Sequence, residues 1–248
     1  MDSGLYAAAT ALVARTDALD TIANNMANSS TAGFRGRHTT FSSVLAGYGQ
    51  QLNSHLNEAT NDYGLLGGSH LDMTPGSLTK TGNELDLGID GPGFLTVQTA
   101  GGPAYTRNGA LQVSTQGQLV TASGDAVIGT GGIITIPKGS TVTVSPDGTI
   151  TANGAIAGKL KLVEFTPTAD PQSMGATCYT AKPNEVVAST SSQVRQGMLE
   201  GSNVNPVSSV IELINAQRAL EGMRHALTMI DTEIDKTAAQ DLPRVTTS

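Results

Sequence analysis

Apolar residues keep one rhythm at the two ends of the chain and another in its middle. Near the start, Leu5, Leu12, Leu19 and Met26 recur every seven residues. Near the end, Leu213, Ala216, Leu220, Met223, Leu227, Ile230 and Ile234 step alternately by three and four. Both spacings gather apolar side chains into one narrow helical stripe, the seam of a coiled coil more than the broad face of an ordinary surface helix. The pattern predicts a first helix from about Ser3 to Asn28, supported by Ala7, Ala8, Ala9, Ala11, Ala14 and Ala18 and stopped by Gly33. It predicts a second from Pro206, which loses no hydrogen bond at the first helical position, to about Gln240, with Asn205 as cap. An isolated chain buries both stripes only if they meet each other or a neighbouring copy.

Between the ends the apolar residues come in short β-type runs: Phe94–Thr99, Leu111–Ser114, Leu119–Thr121, Ile133–Ile136, Val142–Val144, Ile150–Thr151 and Leu160–Phe165. Turn dipeptides separate them, at Asn108-Gly109, Gln116-Gly117, Ser123-Gly124, Asp147-Gly148 and Asn153-Gly154. Runs this short, punctuated this often and without crossover helices, describe antiparallel hairpins in a barrel or sandwich and exclude a parallel α/β sheet. Tyr48 to Gly68 is polar and Gly-rich and reads as a loop or extension; Thr166 to Ser192 reads as a connection toward the last helix. The chain is therefore α+β. Antiparallel N- and C-terminal helices form a coiled-coil-like base (residues 1–33 and 205–248), 34–75 connect, and 76–204 form a central all-β, barrel- or sandwich-like domain.

Composition narrows the function more than the fold. Only 14% of the 248 residues are charged, the net charge is −7 and no Lys/Arg run occurs, which disfavours nucleic acid and anionic membranes as partners. No apolar run is long enough to cross a membrane, and the start lacks a basic, then apolar leader, so the expectation is a protein that is not membrane-inserted and carries no cleaved signal peptide. Cys178 is the single cysteine, expected as a small buried hydrophobe, and no disulfide or thiolate metal cluster is available to it.

The catalytic patterns in the chain do not hold together. Ser77 and Lys80 fit S-x-x-K and Lys80-Thr81-Gly82 fits K-T-G, but one lysine would have to serve both motifs, which in serine acyl-transfer enzymes use two. His38, His55, His70 and His225 lack metal-ligand spacing, and Gly91-Pro92-Gly93 lacks the third glycine of a dinucleotide loop. The expectation is no enzyme, no cofactor and no metal. Two polar features stay open on spacing alone. Asn24, Asn25 and Asn28 form either a fraying helix end or an amide cluster that bonds across a subunit contact. Gln217 and Arg218 form either a solvated face or a directional contact with a neighbour's carbonyls.

Four segments resemble, in order, the rod, hook and hook-associated family of bacterial flagellar axial proteins. They are Ala23–Asn28 with Thr31–Arg35; Leu85–Phe94; Tyr105–Gly109 with Gly117–Thr121; and Gln196–Asn205 with Gln217–Glu221. Within the family, residues 131–137 and 158–163 look most like the proximal rod branch and next like the distal rod branch. The resemblance implies terminal helices packed as an inner tube, an outer β-layer and helical stacking into a shaft that carries torque across the periplasm. It implies self and other rod subunits, proximal and distal, as partners, and delivery unfolded through the flagellar type III export apparatus. It also makes assembly contacts of Asn24, Asn25, Asn28, Phe34, Arg35, Asn203, Asn205, Gln217 and Arg218, beside the seam residues Leu5, Leu12, Leu19, Met26, Leu213, Leu220, Leu227, Ile230 and Ile234. A ligand-binding β-domain with helical dimerisation ends is the rival reading.

Overall fold

The computed structural model describes residues 2–42, 65–175 and 177–241. They form two compact units. One takes residues 2–24, 38–42, 65–70 and 207–241; the other takes 25–37, 71–175 and 177–206.

The first unit contains both long helices and a two-stranded sheet. Helix α1 spans Asp2–Ala27 and helix α2 spans Pro206–Asp241, within a residue of the bounds that alanine content and the Asn205-Pro206 start predict. The sheet pairs β1 (Arg37–Ser42) with β2 (Leu65–Leu71), so Leu65 to Gly68, read from composition as loop, are strand instead. The rest of the expected 48–68 loop lies outside the described residues. On α1 the most buried side chains are Ala11, Ala14 and Ala18, spaced by three and four, while Leu12 and Leu19 flank them half-buried. Asp17, Asp20 and Ala23 are exposed on the opposite side. On α2 the half-buried positions from Leu213 to Leu227 are Leu213, Ala216, Leu220, Met223 and Leu227, while the residues between them are exposed.

The second unit is the mostly β domain, curled into a half-barrel. Every pairing whose register is defined runs antiparallel. Its organising strand is β5 (Phe94–Thr99). It pairs with β6 (Gly102–Thr106), β9 (Ala126–Gly129) and β14 (Leu162–Phe165), so it lies at the centre of the sheet. That position explains why Phe94-Leu95-Thr96-Val97 is buried at four successive positions where an exposed-face strand would alternate. Leu95, Val97, Val127, Leu119, Ile134, Ile136 and Ile150 belong to the main core, together with Leu87 and Ile89 of β4 (Leu87–Asp90).

Two expectations change here. Thr166 to Ser192 is not a plain connection: it holds β15 (Gln172–Ser173), β16 (Cys178–Thr180), a turn of 3₁₀ helix and β17 (Val186–Ala188). Asn108-Gly109 is not a hairpin turn. Gly109 has no left-handed φ; a Cβ there would overlap the Leu87 carbonyl, and the Leu87 N–H donates to the Gly109 carbonyl at 3.0 Å. By contrast Asn153 (φ 51°) and Gly154 (φ 83°) are both left-handed, as a two-residue hairpin between β12 (Thr149–Ala152) and β13 (Ala155–Lys159) requires. Cys178 is half-buried against the main core, and burial pushes its thiol up.

Candidate functional site

Residues from each of the four motif segments meet at one place in the β-unit; Gln217–Glu221 lies in the other unit, on α2. Past the last turn of α1 the chain turns at Gly33, in a left-handed conformation (φ 69°), and lies directly on the backbone of Arg107 and Asn108, leaving no room for a Cβ. From there residues 33–37 run as a strap. Gly33 N–H donates to the Glu200 carbonyl at 2.8 Å, and Asp72 N–H donates to the Gly36 carbonyl at 2.8 Å. Two asparagines hold the strap from either side. Asn25 grips the Arg37 residue at two points, accepting from its N–H at 3.0 Å and donating to its carbonyl at 2.7 Å. Asn203 accepts from Gly36 N–H at 2.7 Å and donates to the Asp72 and Thr74 carbonyls at 3.1 Å each.

Beneath the strap lies a buried ionic hub. Arg35 Nη2 donates to Glu200 Oε1 at 2.5 Å, Gly76 N–H donates to the same oxygen at 2.9 Å, and Arg107 Nη1 donates to Glu200 Oε2 at 2.9 Å. The side chains of Arg35, Arg107 and Glu200 are 0%, 2% and 1% exposed. Arg107 also donates to the Ile89 and Gly91 carbonyls and lies 4.9 Å from the Phe94 ring centre. The Tyr179 oxygen accepts from Arg35 N–H at 3.0 Å, and its ring meets Phe94 edge-on. Burial lowers the Arg107 guanidinium to about 10, against the pull of Glu200, so it stays charged at neutral pH. Two cations thus share one anion inside the protein, and Arg35 Nε, Arg35 Nη1 and Arg107 Nε find no acceptor among the described residues.

This arrangement fixes distant backbone segments to one another. It joins chain segments around residues 25, 35, 72, 91, 107 and 200 through charge-assisted bonds from the two arginines and neutral amide bonds from Asn25 and Asn203. Beside it is a cavity of about 470 Å³ lined by Met73, Leu78, Ile89, Pro92 and Arg107. Of the expected site residues, Asn25, Arg35 and Asn203 come together in the hub and strap, and Phe34 is buried next to them. Their hydrogen bonds are made within the chain, so any part they take in assembly passes through this junction. Asn28 stands apart, accepting from the Thr31 hydroxyl, and Asn24 and Asn205 are exposed. Leu12, Leu19, Met26, Leu213, Leu220 and Leu227 are half-buried on the helices, and Gln217 and Arg218 are exposed. The side chains of Leu5, Ile230 and Ile234 lie outside the described residues. The sequence reading passed over Glu200 and Arg107 although each is a charge inside a matched motif; in a chain this poor in charge, that position was the available signal.

Comparison with known proteins agrees with where these segments sit. Residues 5–35 match the family described as flagella basal body rod protein, 88–152 the flagellar hook protein FlgE/F/G D1 domain, and 195–240 the flagellar basal body rod FlgEFG protein C-terminal. The chain is 34% identical to the flagellar basal-body rod protein FlgF of Caulobacter vibrioides, covering 99% of this chain and 100% of that one. The chain belongs to the flagellar basal-body rod protein family. FlgF of Salmonella typhimurium is 35% identical over 93% of this chain and 95% of its own, and FlgG of Buchnera aphidicola subsp. Baizongia pistaciae is 32% identical over 95% and 98%. In this rod protein each matched region supplies part of the junction. The first brings Asn25 and Arg35, the second Ile89, Gly91 and Arg107, the third Glu200 and Asn203. No described helix is long and apolar enough to cross a membrane.

Proposed function

We propose that the chain is a proximal-rod subunit, FlgF-like, which polymerises helically into the drive shaft that transmits torque across the periplasm. What supports this reading is full-length similarity to FlgF proteins together with an apolar stripe on each of two long helices. In it, residues 1–33 and 205–248 act as the polymerisation domain with antiparallel, coiled-coil-like helices, 34–75 connect, and 76–204 form the outer layer. Leu5, Leu12, Leu19, Met26, Leu213, Leu220, Leu227, Ile230 and Ile234 are the seam, with Gln217 and Arg218 beside it. The subunit passes the flagellar type III export apparatus without a cleaved signal peptide and assembles with other rod proteins. It is not an enzyme and takes no cofactor.

Leu220→Asp or Leu12→Asp is expected to abolish swimming and to remove the subunit from isolated basal bodies, while circular dichroism of the purified variant still shows the β-domain. Motile cells carrying either variant would remove the seam assignment. Similarity to FlgG of nearly the same extent favours a second reading, the distal rod. Locating the labelled subunit in isolated basal bodies separates the two.

A further inference from the structure

Arg107 serves two places at once. It closes the hub, and it lines the cavity of about 470 Å³ beside it. Met73, Pro75 and Pro92 form the exposed mouth of that cavity, with Leu78 half-buried and Ile89 buried behind them. Arg107 is the one cation among the described lining residues. The one carboxylate, Asp90, is half-exposed and already paired with Arg195 at 3.0 Å.

The donors of Arg107 are not all used. A guanidinium carries five N–H groups. Arg107 makes three bonds with them, two from Nη1 and one from Nη2, so the Nε donor and the second Nη2 donor are left over among the described residues. Two such donors in one planar group are what arginine offers to a carboxylate. Charge points the same way. Arg35 and Arg107 share Glu200, which leaves the hub one positive charge in surplus. Glu164 pulls on Arg107 less than Glu200 does, and its own Oε1 accepts from the Ser189 and Ser191 hydroxyls. A surplus charge away from water is costly until an anion meets it.

The walls set a second requirement. A bare ion would leave Leu78, Ile89 and the two prolines facing water, whereas an acid with an apolar tail covers them. Volume, apolar walls and a single charged anchor are those of a small-molecule site. Arg107 is only 2% exposed, so entry needs one wall to give way, and Met73 at the mouth is the unbranched, flexible one.

We infer that this cavity binds a short-chain monocarboxylate, its carboxylate on the unused donors of Arg107 and its tail against Leu78 and Ile89. The bound acid supplies the counter-charge that the hub lacks and so tightens the junction. The inference stands independently of the rod reading.

The test is calorimetric titration of the full-length purified chain with sodium hexanoate, ionic strength being held with sodium chloride. Saturable binding is expected, weakening through butyrate to acetate by up to about fourfold for each methylene removed. Saturating hexanoate should also raise the melting temperature more than the same concentration of acetate. Met73→Glu and Met73→Lys place opposite charges at the mouth on flexible side chains, outside the hub. Hexanoate is expected to bind the first at least about tenfold more weakly than the second. Melts without ligand check that both variants fold. No saturable binding to the unaltered chain, equal affinity for hexanoate and acetate, or equal affinity in the two folded variants would each overturn the inference.

Discussion

Replacing Glu200 tests the claim that the junction depends on a single anion. Glu200→Gln keeps the shape and removes the charge, leaving Arg35 and Arg107 buried together with no counterion. One of its two terminal atoms also becomes a donor facing guanidinium donors, so at least one of the three bonds to Glu200, from Arg35, Gly76 and Arg107, is lost. Breaking a buried ion pair by removing one partner costs about 3–5 kcal/mol. A domain of this size holds about 5–15 kcal/mol in all. The melting temperature of the β-unit is therefore expected to fall by about 10–15 °C. Urea unfolding followed by circular dichroism measures the loss directly. The triple change Arg35→Met, Arg107→Met, Glu200→Leu provides the contrast: it removes charge and orphaned donors together and is expected to recover most of that stability. A Glu200→Gln protein within about 1 kcal/mol of the original would refute the reasoning, since so small a change is what a solvated pair gives.

Gly33→Ala is expected to cost about 3 kcal/mol or more, because a left-handed backbone and an overlap with the Arg107 main chain act together; the urea midpoint should drop with an unchanged slope. Burial raises the Tyr179 phenol above its ordinary value of 10.0, so the folded state holds that proton more tightly than the unfolded chain. Its contribution is complete below pH 10 and fades as pH rises beyond it. Arg107 acts in the opposite sense above about 10, where its burial cost is relieved by deprotonation. The informative measurement is therefore the stability difference between the original chain and Tyr179→Phe across that range, which should shrink as the solution becomes more alkaline.

How legible each part was followed from how local its cause is. Helix ends are written in a few adjacent residues, and Asn205-Pro206 placed the start of α2 where it lies. The Asn153-Gly154 hairpin is equally local. Strands β15 to β17 were missed because each is only two or three residues long, too short to show an alternation, and β16 is held by β6 far away in sequence. Ile133 to Ile136 kept its alternation, with Ile134 and Ile136 buried, but the strand proper ends at Ile133 because the chain there leaves β9 and bonds instead to Gly117 and Leu119. Asn108-Gly109 mimics a turn signal, yet the glycine serves a close backbone approach, which no dipeptide rule distinguishes. The hub was the least legible. Arg35 reads as a surface charge until Glu200 and Arg107 are known to close over it.

The separations within that hub bear on how the molecule is made. Arg35 and Arg107 precede their shared carboxylate by 165 and 93 residues. A chain made N-terminus first thus carries two cations with nowhere to be interred until just over four-fifths of it has emerged. The strap cannot latch early, and a truncated subunit cannot pass for a finished one. Completion is signalled by one late carboxylate.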